Sequence, residues 1–364
     1  MKIRSILFTT LCSLMLGAIF ANCSDSEDEP EPIIDPVDNP VYILNEGGSG
    51  DNYVNTANIS RFFPSYNIPT ESDYYKQVNG KGLGDVANAI IREDNNIYVV
   101  LFGSKYIAKL NLKCEEENRY TFPEIEGAPR YIDMEGEYAY ITQYGGQISK
   151  LNAKDMTLVS TFHEGNNLEG IVEKDGKLYV ANSWKSINDF NKEIIVIDAK
   201  TMTKVNTINV ELNPVQVQEI NNKIYVISQG NYADVPAVLQ VINTQTNTSK
   251  TILKDVDKIT EGHNGLIYGV RSTFDANWTP INSFFIYNPT TDEVNETSFL
   301  QDAPSSFSSD AIYLLEVDEK TGFIYVGTTD YTTNGTIYQF DKSGKFLQSF
   351  DSGGINPSTM IFID

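Results

Sequence analysis

The chain has 364 residues and a formal net charge of -22, from 49 Asp and Glu against 27 Lys and Arg. Its hydrophobic content of 41% suits a folded globular protein and excludes global disorder. Nucleic-acid binding is disfavoured because a phosphate backbone is held by clustered Lys and Arg, and the sequence contains no such cluster. With only His163 and His263 present, a histidine-rich metal site is excluded.

Residues 1–22 have the features of a secretory signal peptide. Lys2 and Arg4 precede a mostly apolar stretch from Ile6 to Phe20, which is too short to span a bilayer comfortably. Cys23 follows Ala21 and Asn22 in a segment that resembles the lipobox of bacterial lipoproteins, in which the cysteine becomes the lipidated N-terminus. The alternative is an ordinary signal peptide with an incidental cysteine. The first interpretation predicts a protein held in a membrane by its lipid alone.

Residues 23–39 are predicted to form a tether. Seven acidic residues lie between Asp25 and Asp38, and Pro30, Pro32 and Pro36 favour an extended backbone. A cysteine and serine followed by an acidic run resemble the export signal that sends lipoproteins of Bacteroidetes to the outer face of the outer membrane. We therefore expect a cell-surface location, and a plain spacer facing the periplasm is the alternative. Cys114 is then the one cysteine left in the body, so no intrachain disulfide is expected.

The body, residues 40–364, contains a repeated phrase in which a tyrosine stands between two residues, mostly apolar ones. Successive copies are 39 to 57 residues apart, which suits a propeller blade of four strands rather than a helical repeat. No amphipathic helix of ten residues or more is predicted. The seven tyrosines are Tyr42, Tyr98, Tyr140, Tyr179, Tyr225, Tyr268 and Tyr325.

A second phrase follows most copies: an alternating apolar run that ends in Asn or Asp and leads into a turn, as at 195–201 and 241–246. An inner strand precedes each tyrosine strand except the first. Residues 355–362 look like an inner strand with no strand after it. The sequence therefore predicts an all-β fold, a seven-bladed β-propeller of four-stranded blades, closed by the C-terminal strand pairing into the first blade. An array of two-sheet sandwiches is the alternative architecture.

The seven phrases, together with Leu44-Asn45-Glu46-Gly47-Gly48, resemble the YncE-like propellers of Bacteroidetes lipoproteins over nearly the whole chain after residue 40. In organisation the chain is most similar to the surface cobalamin-binding lipoproteins of the BtuG type. That resemblance implies capture of cobalamin (vitamin B12) or related corrinoids, and delivery to a TonB-dependent transporter of the outer membrane. Cobalamin is then a bound ligand, and no catalytic cofactor is expected.

The loops that follow the tyrosine strands share one face of a propeller, and loops on a rigid scaffold commonly carry binding residues. Each of the seven contains a large aromatic residue, and amides or hydroxyls lie between the rings. Aromatic rings dominate binding hot spots because they bury much area at low entropic cost. Arg130 and Arg271 are expected on the same rim, with Lys81, Asp85 and Glu169 in the intervening loops. The predicted ligand contacts are Asn45, Tyr53, Phe102, Arg130, Tyr144, Asn182, Trp184, Gln229, Tyr232, Arg271, Trp278 and Tyr331.

The sequence lacks the common catalytic and metal-binding motifs, such as GxSxG, HExxH, CxxC and the EF-hand loop. We therefore expect no metal site and no enzymatic activity. Paired carboxylates for glycoside hydrolysis stay open because their separation is spatial. Two alternatives to cobalamin capture remain: a propeller that binds a glycan or another small ligand, and a propeller enzyme such as a lyase or hydrolase.

Overall fold

The computed structural model describes residues 39–363, apart from 51–52, 65–69 and 125–126. The predicted signal peptide, Cys23 and nearly all of the predicted tether lie outside the described residues. The described residues belong to one compact unit.

The secondary structure is almost entirely β-strand, with one six-residue α-helix, α1 (Tyr74–Asn79), among the described residues. In chain order the strands are β1 (Val41–Asn45), β2 (Asn58–Phe62), β3 (Ala87–Glu93), β4 (Asn96–Leu101), β5 (Tyr106–Asn111), β6 (Glu116–Thr121), β7 (Pro129–Glu135), β8 (Tyr138–Gln143), β9 (Gln147–Asn152), β10 (Leu158–His163), β11 (Asn167–Lys174), β12 (Lys177–Ser186), β13 (Asp189–Asp198), β14 (Thr203–Asn209), β15 (Pro214–Ile220), β16 (Lys223–Ser228), β17 (Val238–Asn243), β18 (Thr248–Lys254), β19 (Val256–Glu261), β20 (Ile267–Phe274), β21 (Pro280–Asn288), β22 (Glu293–Asn295), β23 (Ala311–Val317), β24 (Ile324–Thr329), β25 (Asn334–Phe340), β26 (Phe346–Ile355) and β27 (Pro357–Phe362).

These strands form seven antiparallel blades, which confirms the predicted fold class. Blades 2 to 7 are consecutive groups of four strands, from β3–β6 to β23–β26, and blade 1 combines β27, β1 and β2. The C-terminal strand is the inner strand of blade 1, with Val41 opposite Phe362 and Ile43 opposite Met360. The ring is therefore closed by hydrogen bonds between the two ends of the propeller, as predicted.

Each blade runs from the channel outward as an up-and-down meander, and this places its connections on two faces. We call the upper face the one that carries the second-to-third strand connections and the links between blades. The lower face carries the other two hairpins of each blade. Val41 begins β1 on the lower face, and the backbone N–H of Ile363 donates to the carbonyl of Pro40 at 3.1 Å. The two ends of the described propeller thus meet on the lower face.

Blade 1 departs from the four-strand expectation because it has three named strands. In the fourth position, Arg61 and Glu71 exchange two backbone hydrogen bonds at 2.8 and 3.0 Å. Arg61 also makes an ion pair with the Glu71 side chain at 2.8 Å. The neighbouring helix α1 buries Tyr75 completely.

Among the described residues, no helix has the length and apolar content needed to cross a membrane.

The seven predicted tyrosines occupy equivalent positions in the second strand of each blade. All of them are buried, with at most 5% of the side chain's reference area exposed. In blades 1, 2 and 3 the hydroxyl donates to a backbone carbonyl in the outer turn of the next blade. The pairs are Tyr42 to Leu112 at 2.9 Å, Tyr98 to Ala153 at 3.2 Å and Tyr140 to Ala199 at 3.1 Å. In these three blades the repeated tyrosine therefore connects neighbouring blades as well as filling the core.

Tyr225 offers a matched comparison, because among the described residues its buried hydroxyl has no hydrogen-bond partner. We expect Tyr98→Phe to lower the free energy of unfolding by about 1 kcal/mol, since it leaves the Ala153 carbonyl unsatisfied. Tyr225→Phe should be neutral or stabilising, because it removes a polar group that is buried without compensation. Urea denaturation of both variants measures the difference, and equal losses would contradict this account of the repeat.

The predicted turns after the third strands are Asx turns. Asp198 accepts backbone hydrogen bonds from Lys200 and Thr201 at 3.1 and 2.7 Å, and Asn243 accepts two from Gln245 and Thr246, both at 3.0 Å. A short polar side chain that bonds to the backbone two or three residues on stabilises such a reversal. This local chemistry explains why the phrase recurs in blade after blade.

Candidate functional site

The seven inner strands enclose a central channel of about 440 Å³. Its charged lining residues are two acids, Glu46 and Glu316, and two bases, Arg130 and Lys258. The formal charges of these four residues cancel. A polar lining without net charge favours neutral or zwitterionic ligands over strongly charged ones.

At the upper mouth, Arg130 and Glu169 form a buried ion pair between blades 3 and 4. The guanidinium Nε donates to the carboxylate Oε2 at 2.8 Å, and the two side chains are 16% and 4% exposed. The Tyr144 hydroxyl donates to the other carboxylate oxygen at 2.6 Å. Burial alone would lower the pKa of Arg130, but the adjacent Glu169 carboxylate outweighs it and raises that pKa. Arg130 therefore remains a cation, with its charge balanced in place.

Aromatic rings surround this cation. The guanidinium carbon of Arg130 lies 4.8 Å from the ring centroid of Tyr144 and 5.2 Å from that of Phe102, within the range of cation–π attraction. Phe102 and Tyr144 meet edge to face at 5.4 Å, and Tyr144 meets Trp184 in the same way at 5.9 Å. Blades 2, 3 and 4 thus join their loop aromatics into one cluster, the mouth cluster, consisting of Phe102, Arg130, Tyr144, Glu169 and Trp184.

The opposite side of the mouth carries a second charged group. Glu46 accepts a hydrogen bond from the Tyr313 hydroxyl, and Lys258 lies 5.4 Å from the Tyr313 ring centroid. Burial raises the pKa of Glu46 above its ordinary value, against the lowering effects of the Tyr313 hydrogen bond and of Arg130 and Lys258. The mouth therefore presents hydrogen-bonding groups of both signs within an aromatic surround.

Towards the lower end of the channel, buried carboxyls link neighbouring inner strands. Burial raises the pKa of Glu316 to about 7, and this residue accepts a hydrogen bond from the Thr260 hydroxyl at 3.4 Å. Burial likewise raises the pKa of Asp133 to about 6, and Asp133 accepts the backbone N–H of Glu173 at 2.5 Å. Raised pKa values also occur at catalytic carboxyls. Here Asp133 has its partner in the next blade and Glu316 has its partner in the preceding one, so a structural role accounts for the position of each carboxyl.

Two connections predicted as loops are instead projecting hairpins. Residues 182–186 continue strand β12, and residues 271–274 continue strand β20. In blade 4 the cross-strand partners include Trp184 opposite Phe190. Opposed aromatic residues stabilise an antiparallel pair, which explains the longer strands.

Asn45 and Asn182, predicted as ligand contacts, are buried and support loops. The Asn45 amide nitrogen donates to Asn58 and Ser60 at 2.9 and 3.0 Å. The Asn182 amide donates to Glu193 at 2.6 Å, and its oxygen accepts the backbone N–H of Asn166. Neither residue enters the function proposed below.

The other predicted contacts lie on the upper face at different depths. Phe102, Arg130, Tyr144 and Trp184 come together in the mouth cluster. Arg271 makes ion pairs with Asp255 at 3.3 Å and Glu296 at 2.5 Å. Tyr53 and Gln229 are half-buried, whereas Tyr232, Trp278 and Tyr331 are largely exposed. The role of each as a ligand contact stays a prediction.

The predicted set omitted four residues that complete the mouth: Glu46, Glu169, Lys258 and Tyr313. Glu169, Lys258 and Tyr313 lie in inner strands, two residues after the strand begins, and Glu46 directly follows β1. The sequence signal that could have identified these residues was the presence of charged residues and tyrosine near the starts of inner strands. The prediction placed Glu169 in an intervening loop, whereas it lies in β11, and it gave Glu46, Lys258 and Tyr313 no role in the site.

The histidines do not take part in this site. His163 ends β10, the outer strand of blade 3, and His263 lies in the β19–β20 hairpin on the lower face; both are exposed. Among the residues that the structure describes, no group of three or more His, Cys, Asp or Glu side chains is arranged to hold a metal ion.

Comparisons with known proteins identify the fold but not a family. No protein-family description matches the chain, and no curated protein is similar in sequence. Solved structures do match: hydrazine synthase of Kuenenia stuttgartiensis at 14% identity, with a TM-score of 0.57 over 77% of this chain and 80% of that one. Streptogramin B lyase matches at 15% identity, with a TM-score of 0.52 over 72% and 82%. The computationally designed protein Ika8 matches at 12% identity, with a TM-score of 0.50 over 87% and 88%. Enzymes and a designed protein share this architecture, so the likeness shows the propeller fold alone.

Proposed function

We propose that the propeller captures a bulky, nearly neutral ligand at the upper mouth, and that this ligand is cobalamin or a related corrinoid. The observation that carries the proposal is the mouth cluster, in which a charge-balanced ion pair lies within a group of half-buried aromatic rings. Aromatic surface suits the broad apolar faces of a large ring ligand, and the polar groups suit its peripheral amides. The proposed activity is binding, and no residue is assigned a catalytic role.

The charges at the mouth agree with a corrinoid, which carries many amides and one phosphodiester. Arg130 and Lys258 offer cationic donors for that phosphate, and Glu46 and Tyr313 offer partners for amide groups. Because the formal charges of the lining cancel and the ligand is nearly neutral, the affinity should depend weakly on salt.

The proposal includes anchoring through Cys23 at the cell surface and transfer of the ligand to a TonB-dependent transporter. Pro40 lies on the lower face, so a tether arriving there leaves the upper face turned away from the point of attachment. A ligand arriving from the medium then meets the mouth directly.

Calorimetry with cyanocobalamin tests the ligand. We expect one site per chain, and Trp184→Ala should weaken binding about thirtyfold, since truncating an aromatic anchor costs about 2 kcal/mol. Val159→Ala, on the outer strand of blade 3, is the control and should bind as the wild type does. Absence of heat at micromolar protein would eliminate the corrinoid. A larger loss for Trp278→Ala than for Trp184→Ala would move the site from the mouth to the rim.

A further inference from the structure

Three exposed aromatic residues have an unusual backbone conformation. Tyr232, Trp278 and Tyr331 have φ values of 56°, 64° and 64°, in the left-handed region that bulky side chains rarely adopt. They are the only aromatic residues with positive φ among those that the structure describes, and thirteen of the eighteen other non-glycine residues with positive φ are Asn or Asp. They lie in the upper-face connections of blades 5, 6 and 7, which are consecutive.

Packing does not explain the strain, because these side chains are 65%, 75% and 56% exposed. A core position could compensate a costly backbone by burying the ring, but a ring in water gains little. An asparagine or glycine would satisfy the backbone at lower cost. We call the turns that carry these three residues the tips of blades 5, 6 and 7. The presence of a large ring at all three tips therefore points to a use for the ring itself.

Each tip is held rigidly by polar side chains. Asp330 accepts the backbone N–H groups of Thr332 and Thr333 at 2.8 and 2.7 Å. The same arrangement holds the other two tips: the Asn231 side chain accepts two backbone N–H groups in its turn, and Asp275 accepts two in the turn that presents Trp278. The rings are thus presented in fixed positions, which reduces the entropic cost of binding.

A second ring supports each of the three. Tyr232 lies 6.0 Å from Phe190, Trp278 lies 6.2 Å from Phe274, and Tyr331 lies 6.0 Å from Tyr313, measured between ring centroids. The result is a series of aromatic pairs, one for each of three neighbouring blades. We call this surface the rim platform, consisting of Tyr232, Trp278 and Tyr331 with their supporting rings.

We propose that the rim platform binds an extended, neutral polysaccharide chain, with successive sugar rings stacked on the aromatic residues. One exposed ring on each of three consecutive blades suits a ligand with repeating units, and sugar rings have apolar faces that stack on aromatic surfaces. The hydrogen-bonding groups between the rings, from Asp, Asn and Thr, suit sugar hydroxyls. Carboxylates are depleted at the centres of protein interfaces, which argues against a protein partner.

The charge at the tips selects a neutral polymer. Hydrogen bonds from backbone and side-chain groups hold the pKa of Asp234, Asp275 and Asp330 below the ordinary value, so all three are ionised at neutral pH. Three carboxylates beside the rings repel anionic glycans. The platform shares the ring of Tyr313 with the mouth, but its three exposed rings lie outside the mouth cluster, so this inference does not depend on the corrinoid proposal.

Affinity electrophoresis in gels containing dextran, galactomannan, arabinoxylan or mixed-linkage β-glucan tests the proposal, with polygalacturonate as the anionic comparison. We expect at least one neutral polymer to retard the protein and polygalacturonate to have no effect. The combined variant Tyr232→Asn, Trp278→Asn and Tyr331→Asn should lose at least tenfold in affinity. Val205→Thr, an exposed substitution on the outer strand of blade 4, should migrate as the wild type does.

The same triple variant also separates binding from folding. Because asparagine accepts the left-handed conformation, the melting temperature of the triple variant should equal or exceed that of the wild type. In Trp184→Phe protein, Trp278 is the only tryptophan, and its emission should shift to shorter wavelength when the polymer binds. A marked fall in melting temperature, unchanged retardation of the triple variant, or no retardation by any neutral polymer would overturn the proposal. If the protein bound a solubilised outer-membrane protein and no polysaccharide, that result would also overturn the proposal.

Discussion

Deletion of residues 355–364 is expected to abolish cooperative unfolding near the wild-type temperature. The deletion removes β27, the inner strand of blade 1, and leaves the inner edge of β1 without its ladder of backbone partners. It also removes the buried residues Met360, Ile361 and Ile363 from the core. An ordinary terminal truncation costs little because termini are usually frayed. This one opens the ring and exposes the inner edge of β1.

A permuted variant provides the matched control. Moving residues 355–363 in front of Pro40 keeps the strand and its contacts but changes its connection, since Ile363 and Pro40 are already hydrogen-bonded. Blade 1 would then have the same hairpin between its first two strands as the other blades. Thermal unfolding followed by circular dichroism should show recovery of the cooperative transition. A truncated protein that melts as the wild type does would contradict the role assigned to closure.

Replacement of Glu169 by leucine should lower the free energy of unfolding by about 3 kcal/mol, because it leaves the Arg130 guanidinium nearly buried without its counter-charge. The Tyr144 hydroxyl loses its acceptor in the same variant. The double variant Arg130→Leu and Glu169→Leu should recover most of the stability, since a buried pair replaced by apolar side chains is often neutral.

Urea denaturation of the two variants and the wild type measures these differences. If the double variant is as unstable as Glu169→Leu alone, the loss comes from packing and not from the unpaired charge. The double variant should still bind a corrinoid more weakly than the wild type does, because Arg130, one of the two cations at the mouth, is absent. Comparison of the double variant with the wild type therefore separates the effect on stability from the effect on binding.

The fold was predictable because its determinants are local and repeated. The tyrosine phrase and the inner strand recur in all seven blades, the Asx turn recurs in six of them, and the position of residues 355–362 identified the closing strand. The exception is blade 1, in which backbone bonds between Arg61 and Glu71 replace the fourth strand. Because this contact joins a single pair of residues ten positions apart, it produces no repeated pattern from which it could have been predicted.

The site was predictable only in part, because its contacts join distant positions. Phe102, Tyr144 and Trp184 were predicted from their loops and Arg130 from its place on the rim, but the pairing of Arg130 with Glu169 spans 39 positions. Asn45 looked like a rim amide, and its bond to the Ser352 carbonyl spans 307 positions. Whether an amide faces a ligand or the protein depends on such long-range contacts. Loop composition alone does not specify them.

The position of β1 between two partners also determines how the protein bears a mechanical load. A segment that pulls on Pro40 along β1 acts on a strand that is paired with β27 on one side and β2 on the other. The hydrogen bonds of both ladders then resist in parallel, as in shear, instead of breaking one after another, as in unzipping. Traction at this end is therefore spread over the two ladders of blade 1.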